Sequence, residues 1–181
     1  DPRFVIQPIS QPSKLFGNFE VDLSGHIEDV KVDTFVALAN HEHSFVLFMA
    51  KQEKRKWKEL FKGRDHLKYF GPRLFAYAII KILKEKNITV YNLNIDLEYP
   101  GYLEEVETIL RKFDPRMTVS FSSIGRHSLA HFAAHGAYLK QRSVIGALEN
   151  KDIPETKTDR DSRGNQGTAQ GQDNRVLGKS P

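Results

Sequence analysis

The sequence contains no cysteine, and this absence excludes disulfide bonds, thiol catalysis and zinc sites built on cysteine. Long apolar runs are also missing, since no stretch approaches the roughly 20 residues that a membrane-spanning helix requires. The first residues, Asp1-Pro2-Arg3, lack the charged and apolar regions of a signal peptide. No Gly-x-Ser-x-Gly motif and no phosphate-binding glycine loop is present. We therefore expect an intracellular protein, cytoplasmic or nuclear, without a membrane partner.

Composition and length predict one globular domain. Hydrophobic residues form 39% of the chain and charged residues 28%, and 181 residues suffice for a substantial core. Three prolines in a polar setting predict an extended N-terminal arm over residues 1–17. Large apolar residues are scarce near the end of the chain. We therefore predict a folded domain over residues 18–145 and a disordered polar tail over residues 146–181.

Positive charge is concentrated in residues 51–73. That segment contains nine Lys or Arg residues and three acidic ones, whereas the whole chain has a net charge of +4. Aromatic residues are interleaved with these cations, and phosphate backbones with exposed bases favour that mixture. The residues predicted to contact nucleic acid, either DNA or RNA, are Lys54, Arg55, Lys56, Trp57, Lys58, Lys62 and Arg64. Two alternatives give the same pattern: an amphipathic helix whose aromatic side chains face the core, and a surface for an acidic protein partner.

The periodicity of apolar residues predicts five strands and four helices. The strands cover residues 19–23, 34–39, 44–49, 88–96 and 117–121. The helices cover a short segment near residues 57–61 and longer segments over residues 72–86, 102–113 and 124–142. Ser122 and Ser123 offer an N-cap for the last helix. With the first three strands antiparallel and the later ones connected through helices, the pattern predicts an α/β fold, a mixed sheet with helices on its faces.

Two of the predicted strands carry an aspartate at or near the carboxyl end. The run Val21-Asp22-Leu23-Ser24-Gly25 places Asp22 in a strand bound for the core, and the strand over residues 88–96 ends on Asp96. A buried carboxylate loses its hydration and needs a cation or several hydrogen-bond donors in return. The alternative for Asp22 is a half-exposed position, where its side chain accepts hydrogen bonds from the amides of Ser24 and Gly25.

The order β-β-β-α-β-α-β-α and these two aspartates resemble the ribonuclease H-like superfamily, which includes ribonucleases H, Holliday-junction resolvases and transposase or integrase cores. The resemblance covers about residues 18–142. It implies a five-stranded mixed sheet and a metal-dependent nuclease, in which Asp22 and Asp96 hold two Mg²⁺ or Mn²⁺ ions beside a scissile phosphate. The alternative is a catalytically degenerate module of the same fold that binds nucleic acid or a protein partner.

Further candidate site residues come from the positions at which this sequence differs from the pattern of that superfamily. Many members carry a glutamate in the helix after the third strand, where this sequence has only Glu85, too near the far end of the helix, and Glu98 is the candidate substitute. Members also carry an acidic residue or a histidine on the last helix, where this sequence has His127, His131 and His135 at helical spacing. We expect His127 or His131 to be an auxiliary ligand or a proton carrier, and the neighbouring Arg126 to contact phosphate. A polar helix face is the alternative, and for His135 it is the preferred interpretation.

Overall fold

The structure, a computed structural model, describes residues 15–62, 67–140, 148 and 150–152. Within these residues it is an α/β fold with a five-stranded mixed open sheet and four α-helices. The strands are β1 (Leu15–Ser24), β2 (Thr34–Ala39), β3 (Ser44–Met49), β4 (Ile88–Asp96) and β5 (Thr118–Ser122). The helices are α1 (Lys51–Lys62), α2 (Phe70–Glu85), α3 (Leu103–Phe113) and α4 (Leu129–Lys140), and two 3₁₀ turns lie at Leu67–Tyr69 and Asn150–Asp152.

The strands lie in the order β3-β2-β1-β4-β5. β1, β2 and β3 are antiparallel neighbours, as predicted, whereas β4 is parallel to β1 and β5 is parallel to β4. The β2–β3 hairpin closes at Asn40, whose side-chain oxygen accepts the amides of Glu42 and His43 at 2.9 and 2.7 Å. Because β1 and β4 are parallel neighbours, their carboxyl ends lie side by side at one end of the sheet.

Helices cover both faces of the central strands. Val36 and Leu38 of β2 belong to the main core with the apolar side of α2, whereas the alternating residues Phe35 and Ala37 pack with α4. Successive residues of a strand point to opposite faces, so α2 and α4 lie on opposite sides of the sheet. This two-sided cover explains why all six residues of β2 are buried.

Three predicted element boundaries are wrong. β1 begins at Leu15, so the last three residues of the predicted arm pair with β4. α1 runs over Lys51–Lys62 and is not confined to the neighbourhood of residues 57–61. α4 begins at Leu129 and not near residue 124, because Ser128 is its N-cap and accepts the amide of His131 at 2.9 Å.

Part of the predicted tail belongs to the domain. Leu148 is 2% exposed in the main core, and its amide donates to the backbone oxygen of Phe48 at 3.2 Å. Asp152 forms a salt bridge of 2.9 Å with Lys81 of α2. The boundary predicted at residue 145 is therefore too early. The arm before Leu15, the end of the last predicted helix and the tail after Asp152 lie outside the described residues.

Candidate metal centre

Asp22 lies in β1 on the face covered by α4, because its partner across the strands is Ala37. The residue is 2% exposed. Its Oδ1 accepts the amide of Leu23 at 2.7 Å, and its Oδ2 contacts Nδ1 of His131 at 2.8 Å. An ionised carboxylate only accepts hydrogen bonds, so Nδ1 is the donor in this contact. The alternative of a half-exposed aspartate capped by the amides of Ser24 and Gly25 is therefore wrong.

Burial raises the pKa of Asp22, and the hydrogen bonds from His131 and Leu23 oppose that shift. The imidazole comes from the first turn of α4, where the Ser128 cap fixes the backbone of residue 131. The ring is stacked on that of His135, with centroids 5.6 Å apart and planes inclined by 14°. The carboxylate of Asp22 is thus held in one orientation by groups from two elements.

Asp96 and Glu98 stand beside Asp22. The register of the parallel pair places Val21 opposite Ile95, so the next residues along, Asp22 and Asp96, are neighbours at the carboxyl ends of β1 and β4. Oδ1 of Asp96 accepts the amide of Ile124 at 2.9 Å. The amide of Glu98 donates to the backbone oxygen of Asp96 at 2.8 Å, a tight bend that brings the third carboxylate back to the cluster.

The three carboxylates form a compact donor set for a cation. One oxygen each from Asp22, Asp96 and Glu98 lies within 4.8 Å of those of the other two. Oxygen ligands suit hard divalent ions such as Mg²⁺, Mn²⁺ and Ca²⁺. The salt-bridge partners of this cluster among the described residues are the histidines His131 and His26. Three acids with so little compensating charge fit a divalent cation.

The electrostatics of Glu98 support the same conclusion. Burial raises its pKa to about 7, and the charges of Asp22 and Asp96, a hydrogen bond to Asp96 and the charge of Glu28 add to the shift. Near neutral pH Glu98 is therefore only partly ionised, and its protonated form bonds to Asp96. A divalent ion would oppose this shift, because it stabilises all three ionised carboxylates.

His26 is a residue of this site that the sequence analysis missed. It follows Gly25 in the loop after β1, its side chain is 78% exposed, and its Nδ1 lies 3.9 Å from Oε2 of Glu98. Its place two residues beyond the end of the strand that carries Asp22 was the available signal. His127, by contrast, is exposed in the turn before α4, and the structure brings His131 rather than His127 to Asp22.

Two residues predicted to contact nucleic acid are buried. Lys54 is 0% exposed, and its Nζ donates to the backbone oxygens of His26 and Asp29 and to Oγ1 of Thr34 at 2.7 to 3.0 Å. Burial lowers the pKa of Lys54 to about 8. Trp57 is 1% exposed in the main core, so its ring has no free face for a base. Both assignments are corrected, and the aromatic side chains of α1 face the core.

The other cations of α1 are partly engaged within the chain. Lys56 and Lys62 form exposed salt bridges with acidic residues one turn earlier, at 2.8 and 2.6 Å. Arg55 donates to the backbone oxygen of Val30 at 3.0 Å, and Nζ of Lys58 lies 3.5 Å from that of Glu28. Arg126 is exposed, and Arg64 lies outside the described residues. Contact of these residues with nucleic acid stays a prediction.

Comparisons of the chain with protein-family models, with curated proteins and with solved structures gave no match. None of the described helices combines the length and the apolar character needed to cross a membrane.

Proposed function

We propose that this protein is a divalent-metal-dependent nuclease with a ribonuclease H-like arrangement of its sheet. One observation carries the proposal: carboxylate oxygens of Asp22, Asp96 and Glu98 lie within 4.8 Å of one another. The proposal also has support from the mixed sheet, whose central parallel strands end at this cluster. The third carboxylate matters because an incomplete set would have favoured a degenerate binding module.

Each residue of the centre has a distinct task in this proposal. Asp22, Asp96 and Glu98 hold Mg²⁺ or Mn²⁺, and His131 fixes the orientation of the Asp22 carboxylate through Nδ1. When bound, such ions supply activation of water and neutralisation of charge on a phosphodiester. His26 stands exposed beside Glu98, where its imidazole can exchange a proton with a bound substrate.

The proposed substrate is nucleic acid, bound by cations that remain exposed. Arg55, Lys56 and Lys62 of α1 are exposed, as is Arg126 in the turn before α4. Such side chains bind the phosphate backbone without reading its sequence. The substrate can therefore be DNA or RNA, and the experiment has to sample both.

The test is cleavage of labelled single strands, duplexes, DNA–RNA hybrids and branched DNA, in Mg²⁺, in Mn²⁺ and in EDTA. We expect metal-dependent cleavage that falls more than about 100-fold in Asp22→Asn, because even the loss of a residue behind a metal ligand costs 10- to 100-fold. Glu42→Gln is the matched control, since Glu42 is exposed at the hairpin on the opposite end of the sheet. Cleavage that is absent, or unchanged in Asp22→Asn, contradicts the proposal, and salt-sensitive binding without cleavage identifies a binding module.

A further inference from the structure

The two sides of the sheet are covered unequally at β4 and β5. α2 and α3 pack on the main-core side of these strands, whereas on the other side α4 packs on β1, β2 and β3. Asn92, Thr118 and Ser120 alternate with the core residues Leu93 and Val119, so they lie on that other side, and all three are exposed. Parallel strands usually have both faces covered by helices. Within the described residues this face is open, which is typical of a surface used for binding.

Polar side chains form rows across the strands of this face and lead away from the carboxylate cluster. In the row nearest the cluster, Asp96 pairs with Ser122. The next two rows, each about 7 Å further along the strands, are Glu20–Asn94–Ser120 and Asn18–Asn92–Thr118. The open face is defined here by its six uncharged members, Asn18, Asn92, Asn94, Thr118, Ser120 and Ser122. It is therefore continuous with the carboxylate cluster.

Hydrogen bonds within the open face use the side-chain oxygens of two asparagines. Oδ1 of Asn94 accepts the hydroxyls of Ser122 and Ser120 at 2.9 and 3.3 Å, and Oδ1 of Asn18 accepts Nδ2 of Asn92 at 3.0 Å. Among the described residues, no hydrogen bond involves Nδ2 of Asn18 or of Asn94. The open face therefore offers these two amino groups as donors to a ligand.

Glu20 places an unsatisfied acceptor next to these donors. Its partner across the strands is Asn94, and its Oε2 is shielded from solvent without a hydrogen-bond partner among the described residues. A shielded oxygen without a donor is unfavourable. The Glu20 side chain is only half-buried, so a ligand on the open face can supply that donor. The edge of a nucleobase carries both donors and acceptors, and it is accessible where the base is unpaired, as in a single strand.

An exposed aromatic pair lies at the end of the open face that is far from the carboxylates. Tyr91 of β4 is 56% exposed, and the ring of Phe16 lies against it, with centroids 6.1 Å apart and planes inclined by 21°. Phe16 precedes Asn18 by two residues in β1, so the pair is on the side of the open face. Nucleobases of a single strand stack on exposed rings of this kind.

We propose that the open face binds a single strand of nucleic acid, with a base stacked on Tyr91 and base edges bonded to Asn18 and Asn94. The strand then runs along the rows to the carboxylate cluster. This inference rests on the proposed function and deepens it, because it names the single strand as the substrate class. A duplex fits this surface poorly, since its bases are already stacked and their pairing edges are occupied.

The experiment measures the binding of short fluorescent single strands, of DNA and of RNA, by fluorescence anisotropy in EDTA, which prevents metal-dependent cleavage. We expect single strands to bind more tightly than duplexes of the same length. Tyr91→Ala should raise the Kd about 5- to 150-fold, the effect of removing a ring that stacks on a base. Tyr91→Phe keeps the ring and should bind as the wild type does. Ser120→Asp should raise the Kd several-fold, because it adds a negative charge beside the phosphates of the strand.

Two matched controls separate the open face from other surfaces. Ser44→Asp adds the same charge at an exposed serine in β3, the opposite edge strand of the sheet, and should leave the Kd unchanged. Tyr138→Ala removes an exposed ring of α4 that contacts Phe35 of β2, and it should also leave the Kd unchanged. Urea unfolding of each variant shows whether it is folded.

The outcomes distinguish this inference from the proposed function. Wild-type affinity in Tyr91→Ala, or tighter binding of duplexes than of single strands, overturns this inference alone if cleavage is metal-dependent and is lost in Asp22→Asn. Wild-type affinity in Ser120→Asp as well would assign the open face to a protein partner. A wild-type protein that cleaves nucleic acid without binding single strands also overturns this inference alone. A wild-type protein that neither binds nor cleaves nucleic acid overturns both proposals.

Discussion

Lys54 is a buried charged residue that connects two parts of the protein through hydrogen bonds. It is buried, yet its ammonium group finds three oxygen acceptors, two of them in the loop that carries His26 and Glu28. Burial of a cation is costly unless its hydrogen-bonding capacity is filled, and three acceptors fill that of an ammonium group. Lys54 therefore joins α1 to the loop beside the carboxylate cluster.

Lys54→Met should lower the free energy of unfolding by about 3 kcal/mol. The substitution keeps most of the apolar stem but removes the donor from one buried oxygen, Oγ1 of Thr34, and from two partly buried backbone oxygens. Each such oxygen costs about 1–3 kcal/mol where it stays dry. Lys56→Met is the control, because Lys56 is exposed and its salt bridge is worth under about 1 kcal/mol. Urea denaturation in EDTA measures both. Equal stability of the two variants would show that water replaces the ammonium group at little cost.

Two of the three carboxylates could be predicted from strand periodicity, whereas Glu98 lies beyond the end of β4 and reaches the cluster through a tight bend. Asp22 and Asp96 lie near the ends of two strands, and parallel neighbours bring such ends together. His26 was missed although it lies two residues beyond the end of β1, because its position beside Glu98 depends on how the loop after that strand is fixed. Lys54 was wrongly assigned to the nucleic-acid surface because a count of charges does not show which face of the helix each side chain occupies. Its spacing from Trp57, three residues along the helix, already placed it on the buried face.

At the scale of elements, the start of α4 decides which histidine reaches Asp22. Three serines, at positions 122, 123 and 128, are candidate N-caps for α4. The sequence predicts a helix that begins after the first two, near residue 124. In the structure Gly125 has a φ of 69°, a turn conformation that interrupts any helix from residue 124. Ser128 then becomes the cap and His131 lies in the first turn. The sequence left His127 and His131 both open, and the start at Leu129 puts His127 in the turn before the helix and His131 in contact with Asp22.

Ser128→Ala should lower the free energy of unfolding by about 1 kcal/mol, the usual value of an N-cap. It should also weaken Mn²⁺ binding, because the cap fixes the backbone of His131, the hydrogen-bond partner of Asp22. Ser123→Ala tests the alternative start, since Ser123 is exposed and should matter by less than about 0.5 kcal/mol. Urea denaturation and Mn²⁺ titration measure the two effects. A larger effect at residue 123 would place the helix start where the sequence suggested it.

At the scale of the whole molecule, folding and protonation are linked through the carboxylate cluster, and so would be the binding of the proposed metal ion. Three acids lie together at the carboxyl ends of β1 and β4. Burial and the repulsion between their charges raise the pKa of Glu98 from 4.5 to about 7. The folded protein therefore binds a proton more tightly than the unfolded chain does. This proton stabilises the folded state fully below pH 4.5, and its contribution is lost as the pH rises through 7.

In EDTA the free energy of unfolding should fall by about 3 kcal/mol between pH 4.5 and pH 8, since one pKa unit corresponds to about 1.4 kcal/mol. The raised pKa of Asp22 acts in the same direction. Glu98→Gln should remove most of this fall, and Glu42→Gln should not. Saturating Mn²⁺ should reverse the trend, because the ion binds the ionised carboxylates and competes with the proton. Urea unfolding at a series of pH values measures these effects: the wild type is studied with and without Mn²⁺, and the two variants in EDTA. If the free energy of unfolding falls with pH equally with and without Mn²⁺, the carboxylate cluster does not bind the ion.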